Sequence, residues 1–142
     1  MDPQEFRSLA DELRKRKEPA ACRTAISRAY YYAFTSAVKF VGRYLPIPEN
    51  AEAHGILPRF LKNSGNDDLR DVADTLDKLR TYRNEADYTL TADRPEKTPH
   101  AEMCFKMAVQ VIVDLVEVIG NPSIWNAAVA ETKRQEAEIK KQ

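Results

Sequence analysis

The sequence predicts an all-α fold, an up-and-down bundle of about five helices. Three observations carry that expectation. Apolar residues recur at helical spacing in five segments. No segment alternates with period two for long enough to build a sheet. Proline- and glycine-containing breaks separate the segments. With 142 residues, 43% of them hydrophobic, and only 4 glycines, the chain suits one domain with its own core. The bundle is expected over residues 1–122, followed by a C-terminal helix and charged tail over 123–142.

In the first segment Phe6, Leu9, Ala10 and Leu13 make one buried stripe. "RKRK" at 14–17 closes it, where cations suit the negative end of the helix dipole; a polyanion-binding reading stands beside that one. The second segment runs from about Pro19 to Tyr44. Cys22, Ala25, Ile26, Ala29, Ala33, Ala37 and Phe40 form a mainly small-residue stripe. Tyr31, Phe34, Val38, Val41 and Leu45 form another. A helix apolar on two sides is central or serves an interface as well as a core. "LPIPEN" stops it, because proline cannot continue a helix.

The third segment is short, with Ile56, Leu57, Phe60 and Leu61, and Pro58 is expected in its first turn. "NSGNDD" is a loop that supplies an N-cap for the fourth helix, whose stripe is Leu69, Val72, Ala73, Leu76 and Leu79. After the loop "TADRPEKTP", Thr98 is the expected cap of the fifth helix and Pro99 its first residue. That helix leaves only Lys106, Gln110, Asp114 and Glu117 as a polar stripe, so it also reads as central. Beyond Gly120-Asn121-Pro122 a last helix starts with Ile124, Trp125, Ala128 and Val129 and is expected to fade into a solvated, fraying tail.

Charge excludes some functions and permits others. Lys+Arg 22 balances Asp+Glu 22, so there is no basic field for general nucleic-acid coating, although a local basic groove is allowed. Cys22 and Cys104 have no ligand spacing and read as small hydrophobes in a reducing compartment. No signal peptide is visible, and the most apolar run is too short to span a bilayer, so the protein is expected to be cytoplasmic, with no membrane partner. Nothing in the sequence has metal-ligand, glycine-loop or nucleophile-elbow spacing, so no metal or cofactor is expected. His100 is expected to be exposed, and His54 to serve the turn that opens the third helix.

The chemistry gathers in "LRTYRNEADY", residues 79–88. Arg80, Arg83 and Asp87 share a helix face, Arg83 and Asp87 as an i, i+4 pair. An exposed pair of that kind stabilises a helix by about 0.2–0.5 kcal/mol. The alternative is a site in which guanidinium, amide and phenol bind a phosphodiester, since Arg suits bidentate phosphate contacts. On the second helix Arg28 is either paired with Asp87 or Glu85, or points into a cleft. Tyr30, Tyr31 and Tyr32 are packing residues of which one hydroxyl reaches a polar partner.

"AISRAYYYAFTSAVKFV" (25–41), "AHGILPRFL" (53–61) and "LRTYRNEADYTL" (79–90), in that order, resemble the HEPN superfamily. The likeness is to its small single-domain branch, with Ser-Arg-x-Tyr-Tyr and Arg-x-x-Ala-Asp-Tyr motifs, and covers roughly residues 5–120. It implies a homodimeric helical bundle with polar motifs facing across a cleft. It also implies a toxin–antitoxin or defence setting, often beside a nucleotidyltransferase, and in many members metal-independent RNA cleavage. Carried onto this chain, the catalytic positions are Arg83, Asn84, Asp87 and Tyr88, and the substrate-binding positions Arg28, Tyr31, Arg80 and His54. The chain departs from the family's Arg-polar-gap-His pattern, because Tyr88 stands where the His is expected. An imidazole with a pKa near about 6.5 exchanges protons at neutral pH, whereas a phenol near about 10 is a poor base. The resemblance therefore implies either a weakened ribonuclease or a non-catalytic interaction module.

Overall fold

A computed structural model describes residues 1–141. The described residues fold into six helices: α1 (Gln4–Leu13), α2 (Pro19–Val41), α3 (Ala53–Lys62), α4 (Asp67–Tyr88), α5 (Thr98–Ile119) and α6 (Pro122–Lys140), with a 3-10 turn at Arg94–Glu96. Among the described residues there is no strand, and no helix is long and apolar enough to cross a membrane.

α2 is central, as its two apolar sides predict. It packs against α1, α4 and α5, and α4 packs in turn on α3 and α5. Ala25, Ala29, Ala33 and Ala37 are at most 1% exposed, and this small-residue stripe lets the neighbouring backbones approach closely. Larger side chains complete the core around it, among them Ile26, Leu57, Leu69, Leu79 and Leu115. α2 ends at Val41, where Gly42 begins a turn ahead of the prolines.

Asn66 caps α4 by accepting the Leu69 N–H at 2.9 Å, while Asp67 and Asp68 complement the dipole in the first turn. Gly65, with φ of 72°, makes the left-handed turn between α3 and α4, a conformation that disfavours any Cβ.

Several sequence expectations need correction. Pro58 lies well inside α3, which begins earlier than expected. Its missing N–H leaves the His54 carbonyl without the usual i+4 donor. Thr98 does not cap α5: Lys97 occupies the cap position and makes no side-chain capping bond. His100 is buried, set edge-on to Tyr82 at 4.7 Å, because the loop before α5 folds back over α4. "RKRK" offers little free charge. Arg14 joins Asp11 to Glu102 on α5, Lys15 also pairs Asp11, and Arg16 pairs Glu18.

The tail is likewise not frayed. α6 continues to Lys140, held by Trp125 against Tyr44, by Thr132 Oγ1 donating to the Phe60 carbonyl at 3.1 Å, and by the Arg59–Glu136 pair. A mostly polar helix persists there because a few well-placed contacts with α3 and the end of α2 anchor it.

Candidate functional site

One face of α2 lines the site. Arg23, Ser27, Tyr30, Tyr31 and Phe34 follow at i, i+4, i+7, i+8 and i+11, spacing that stacks them along the same side of a helix. Opposite lies the C-terminal half of α4 with Arg80, Arg83, Asn84 and Asp87, and His54 enters from the first turn of α3.

Arg83 is held on several sides. Its Nη2 donates to the Tyr31 hydroxyl, and its Nη1 donates to Asn84 Oδ1 at 2.8 Å. Nε lies 3.1 Å from Asp87 Oδ2, as the i, i+4 spacing predicts. That N–H points off the line to the carboxylate, however, and is buried without an acceptor. The contact is therefore an ion pair by proximity and not a hydrogen bond. Asp87 Oδ2 also accepts from Ser27 Oγ at 3.3 Å. The guanidinium sits 5.0 Å from the Tyr31 ring centre and 5.8 Å from that of Tyr88, within cation–π range.

Arg28 pairs with neither Asp87 nor Glu85. Glu85 is taken by Arg94 at 2.7 Å and Asp87 by Arg83. Arg28 instead lies over Phe6 at 5.6 Å and Tyr31 at 5.2 Å, so Tyr31 is flanked by two guanidiniums. Among the described residues neither Arg28 nor Arg80 has an acid partner. Tyr88 is 72% exposed at the end of α4.

His54 does not serve a turn or cap. Its ring stacks on Phe34 at 4.0 Å, and its Nδ1 lies 2.5 Å from the Tyr30 hydroxyl. Two tyrosine hydroxyls thus reach polar partners, Tyr30 and Tyr31, one more than the sequence reading expects. Burial pushes the Tyr30 phenol far above its ordinary value, outweighing the opposing charges of Arg80 and Arg83, so it keeps its hydrogen beside Nδ1. Burial first, then the fields of Arg80 and Arg83, hold the His54 pKa below its usual value.

This geometry has a pH consequence. The unfolded histidines protonate near about pH 6.5, and His54 and His100 both resist protonation in the fold. The unfolded state therefore takes up protons first as pH falls, and stability declines from about pH 6.5 downward until the folded histidines titrate. Urea unfolding at pH 7.5 and pH 5 should give the lower free energy at pH 5. Replacing His54 by Gln should shrink that difference, and an unchanged difference would assign the effect elsewhere.

The sequence reading missed Arg23, the most densely bonded side chain among the described residues. It is 8% exposed. Nη1 donates to the carbonyls of Ala86 at 2.9 Å, Thr89 at 3.1 Å and Glu85 at 3.4 Å. Nη2 donates to those of Ala92 at 2.8 Å and Leu90 at 3.2 Å, and Nε to Glu96 Oε2 at 2.8 Å. The available signal was the polar run Arg23, Ser27, Tyr31 along a helix otherwise rich in small apolar residues.

The arrangement gathers guanidiniums without acid partners and an exposed ring, groups that can bind a phosphate. Of the atoms that could move a proton, Asp87 Oδ2 and His54 Nδ1 already have partners in Arg83, Ser27 and Tyr30. Among the described residues no group of three His, Cys, Asp or Glu side chains is gathered as a metal site would require. No family model, curated protein or solved structure matches this chain.

Proposed function

We infer that the chain is a HEPN-like module of the toxin–antitoxin or defence type that binds RNA or a nucleotide through phosphate, with ribonuclease chemistry weak or lost. One observation carries this reading. Arg28 and Arg80, neither with an acid partner, stand beside Arg83, whose Nε–H is buried without an acceptor. A guanidinium cluster with one carboxylate is short of negative charge, and a phosphodiester supplies it in the planar geometry that Arg accepts. The resemblance in 25–41, 53–61 and 79–90 is compatible with this reading and with the second one below. The working unit is a homodimer, and the outward face of α5, with Val113 52% and Val116 46% exposed, offers it an apolar surface.

The test is binding of a labelled single-stranded RNA pool by the wild type and by the Arg28→Ala/Arg80→Ala double variant. The variant should bind at least tenfold more weakly. Its log–log salt slope should be shallower by about 1.4, from about 0.7 per lost phosphate contact on a single strand. Both side chains are partly exposed and without acid partners, so stability should change by no more than about 0.5 kcal/mol. Residual cleavage should survive EDTA and leave 2′,3′-cyclic phosphate ends, because the internal 2′-OH is then the nucleophile. Failure of the wild type to bind RNA or nucleotide at low salt, or magnesium-dependent release of 5′-phosphates, overturns the reading.

A second reading is favoured by the way Arg83 is held: its side chain is only 15% exposed. In that reading the motifs brace a non-catalytic interaction or dimerisation module that engages a protein such as a nucleotidyltransferase.

A further inference from the structure

The polar motif of α4 sits at the least secure part of a helix. The last four carbonyls of any α-helix have no intrahelical donor, and this end normally frays or is capped by a glycine. α4 ends at Tyr88 without a glycine, where the chain enters the turn at Thr89–Ala92. The Thr89 N–H closes the last turn on the Glu85 carbonyl at 3.0 Å, but the Ala86 carbonyl, next to Asp87, has no main-chain donor.

Arg23 supplies what is missing. Its guanidinium collects the Glu85 and Ala86 carbonyls inside α4 and those of Thr89, Leu90 and Ala92 after it. The chain is thus gripped immediately before Asp87 and immediately after Tyr88. Nε anchors the same guanidinium to Glu96 in the 3-10 turn, so the cation is aimed and cannot swing. One helical turn along α2, Ser27 donates to Asp87 Oδ2, and one further turn on, the Tyr31 hydroxyl accepts from Arg83. A cation at the negative end of a helix is favourable in itself. Lysine cannot reproduce this arrangement, because a single ammonium has three donors and no planar fork, whereas the guanidinium has five N–H groups in fixed directions.

We propose that Arg23 is the positioning residue of the site. By binding the main-chain carbonyls on both sides of Asp87 and Tyr88, it sets where the Arg83, Asn84, Asp87 and Tyr88 side chains stand relative to α2. The consequence for RNA binding rests on the phosphate-binding reading above, whereas the consequence for the placement of α4's end does not.

The experiment compares wild type, Arg23→Lys and Glu96→Gln, all labelled with 3-fluorotyrosine. Fluorine NMR is recorded well below the melting temperature, and affinity for the single-stranded RNA pool is measured on the same samples. Tyr44, packed on Trp125 of α6, is the internal control for an intact fold. In Arg23→Lys the Tyr31 and Tyr88 signals should shift or broaden while Tyr44 stays in place, and RNA affinity should fall at least tenfold. A melting temperature that drops while all tyrosine signals and the affinity stay at wild-type values would make Arg23 merely structural and overturn the proposal. If Arg23→Lys does not fold, Glu96→Gln decides. It should move the same two signals and weaken binding about threefold, and silence in both readouts overturns the proposal. A wild type that binds no RNA, combined with displaced Tyr31 and Tyr88 signals in the variants, removes the functional reading and leaves the positioning role standing.

Discussion

Replacing Arg23 by methionine is expected to lower the unfolding free energy by about 3–5 kcal/mol, the range for breaking a buried charged network by removing one partner. Methionine matches much of the arginine stem, so the loss is mainly in polar partners and not in packed volume. Three main-chain carbonyls, those of Ala86, Leu90 and Ala92, lose their donor at once, while those of Glu85 and Thr89 keep the N–H groups of Thr89 and Ala92. Each unmet buried acceptor costs about 1–3 kcal/mol where water cannot reach it, and the opened loop recovers part of that by hydration. Glu96 is 33% exposed and adds less, because solvent takes over its charge. For a chain of this size the change corresponds to a melting temperature lower by on the order of 10 °C or more. Exposed pairs such as Arg134–Glu131, by contrast, should matter little when broken. Denaturant titration of both variants measures the contrast. A loss below about 1 kcal/mol for Arg23→Met would mean that the hydrogen-bond set is not maintained in solution.

Arg83→Ala is expected to affect both stability and binding. Neither simple alternative for this residue describes its surroundings, since it is neither an open ligand nor fully buried. Removing it deletes the bonds to Tyr31 and Asn84 and the proximity pair with Asp87. Hydrogen bonds to charged groups contribute about 1.5–3 kcal/mol, and that is the expected loss. It stays below the Arg23→Met effect because the Asp87 side chain is 29% exposed and can be rehydrated, with Ser27 still donating to it. If the phosphate-binding reading holds, RNA affinity falls at least tenfold in protein that is still folded at 25 °C. A stability loss in this range with unchanged RNA affinity would favour the interaction-module reading. Loss of affinity with no change in stability would mean that Arg83 is freer in solution than its three neighbours indicate.

Much of the architecture was legible in the residues. Helical periodicity marked the helices because a repeat near 3.6 leaves a clear stripe, as in Leu69, Val72, Ala73, Leu76 and Leu79, all now buried. The centrality of α2 followed from its two apolar sides, and the Asn66 cap from short-range chemistry alone. The i, i+4 relation of Arg83 and Asp87 was equally local and is present at 3.1 Å.

Errors of element placement arose where a local signal competed with a contact from elsewhere in the chain. Thr98 has cap chemistry but no capping bond, and the polar end of α6 stays helical because Thr132 and Glu136 find Phe60 and Arg59.

The sequence by itself determined the all-α class, the approximate helices and the set of polar residues at the end of α4, because each depends on neighbours within a turn or two. Only the tertiary structure decided which of those residues are engaged. Tyr30 meets His54 across 24 positions, Tyr31 meets Arg83 across 52, and Arg23 meets the carbonyls after α4 across more than 60. No periodicity encodes such pairings, because they depend on how rigid helices are brought together by burial of their apolar faces. The same packing left Arg28 without an acid and set Nδ1 of His54 against the Tyr30 hydroxyl.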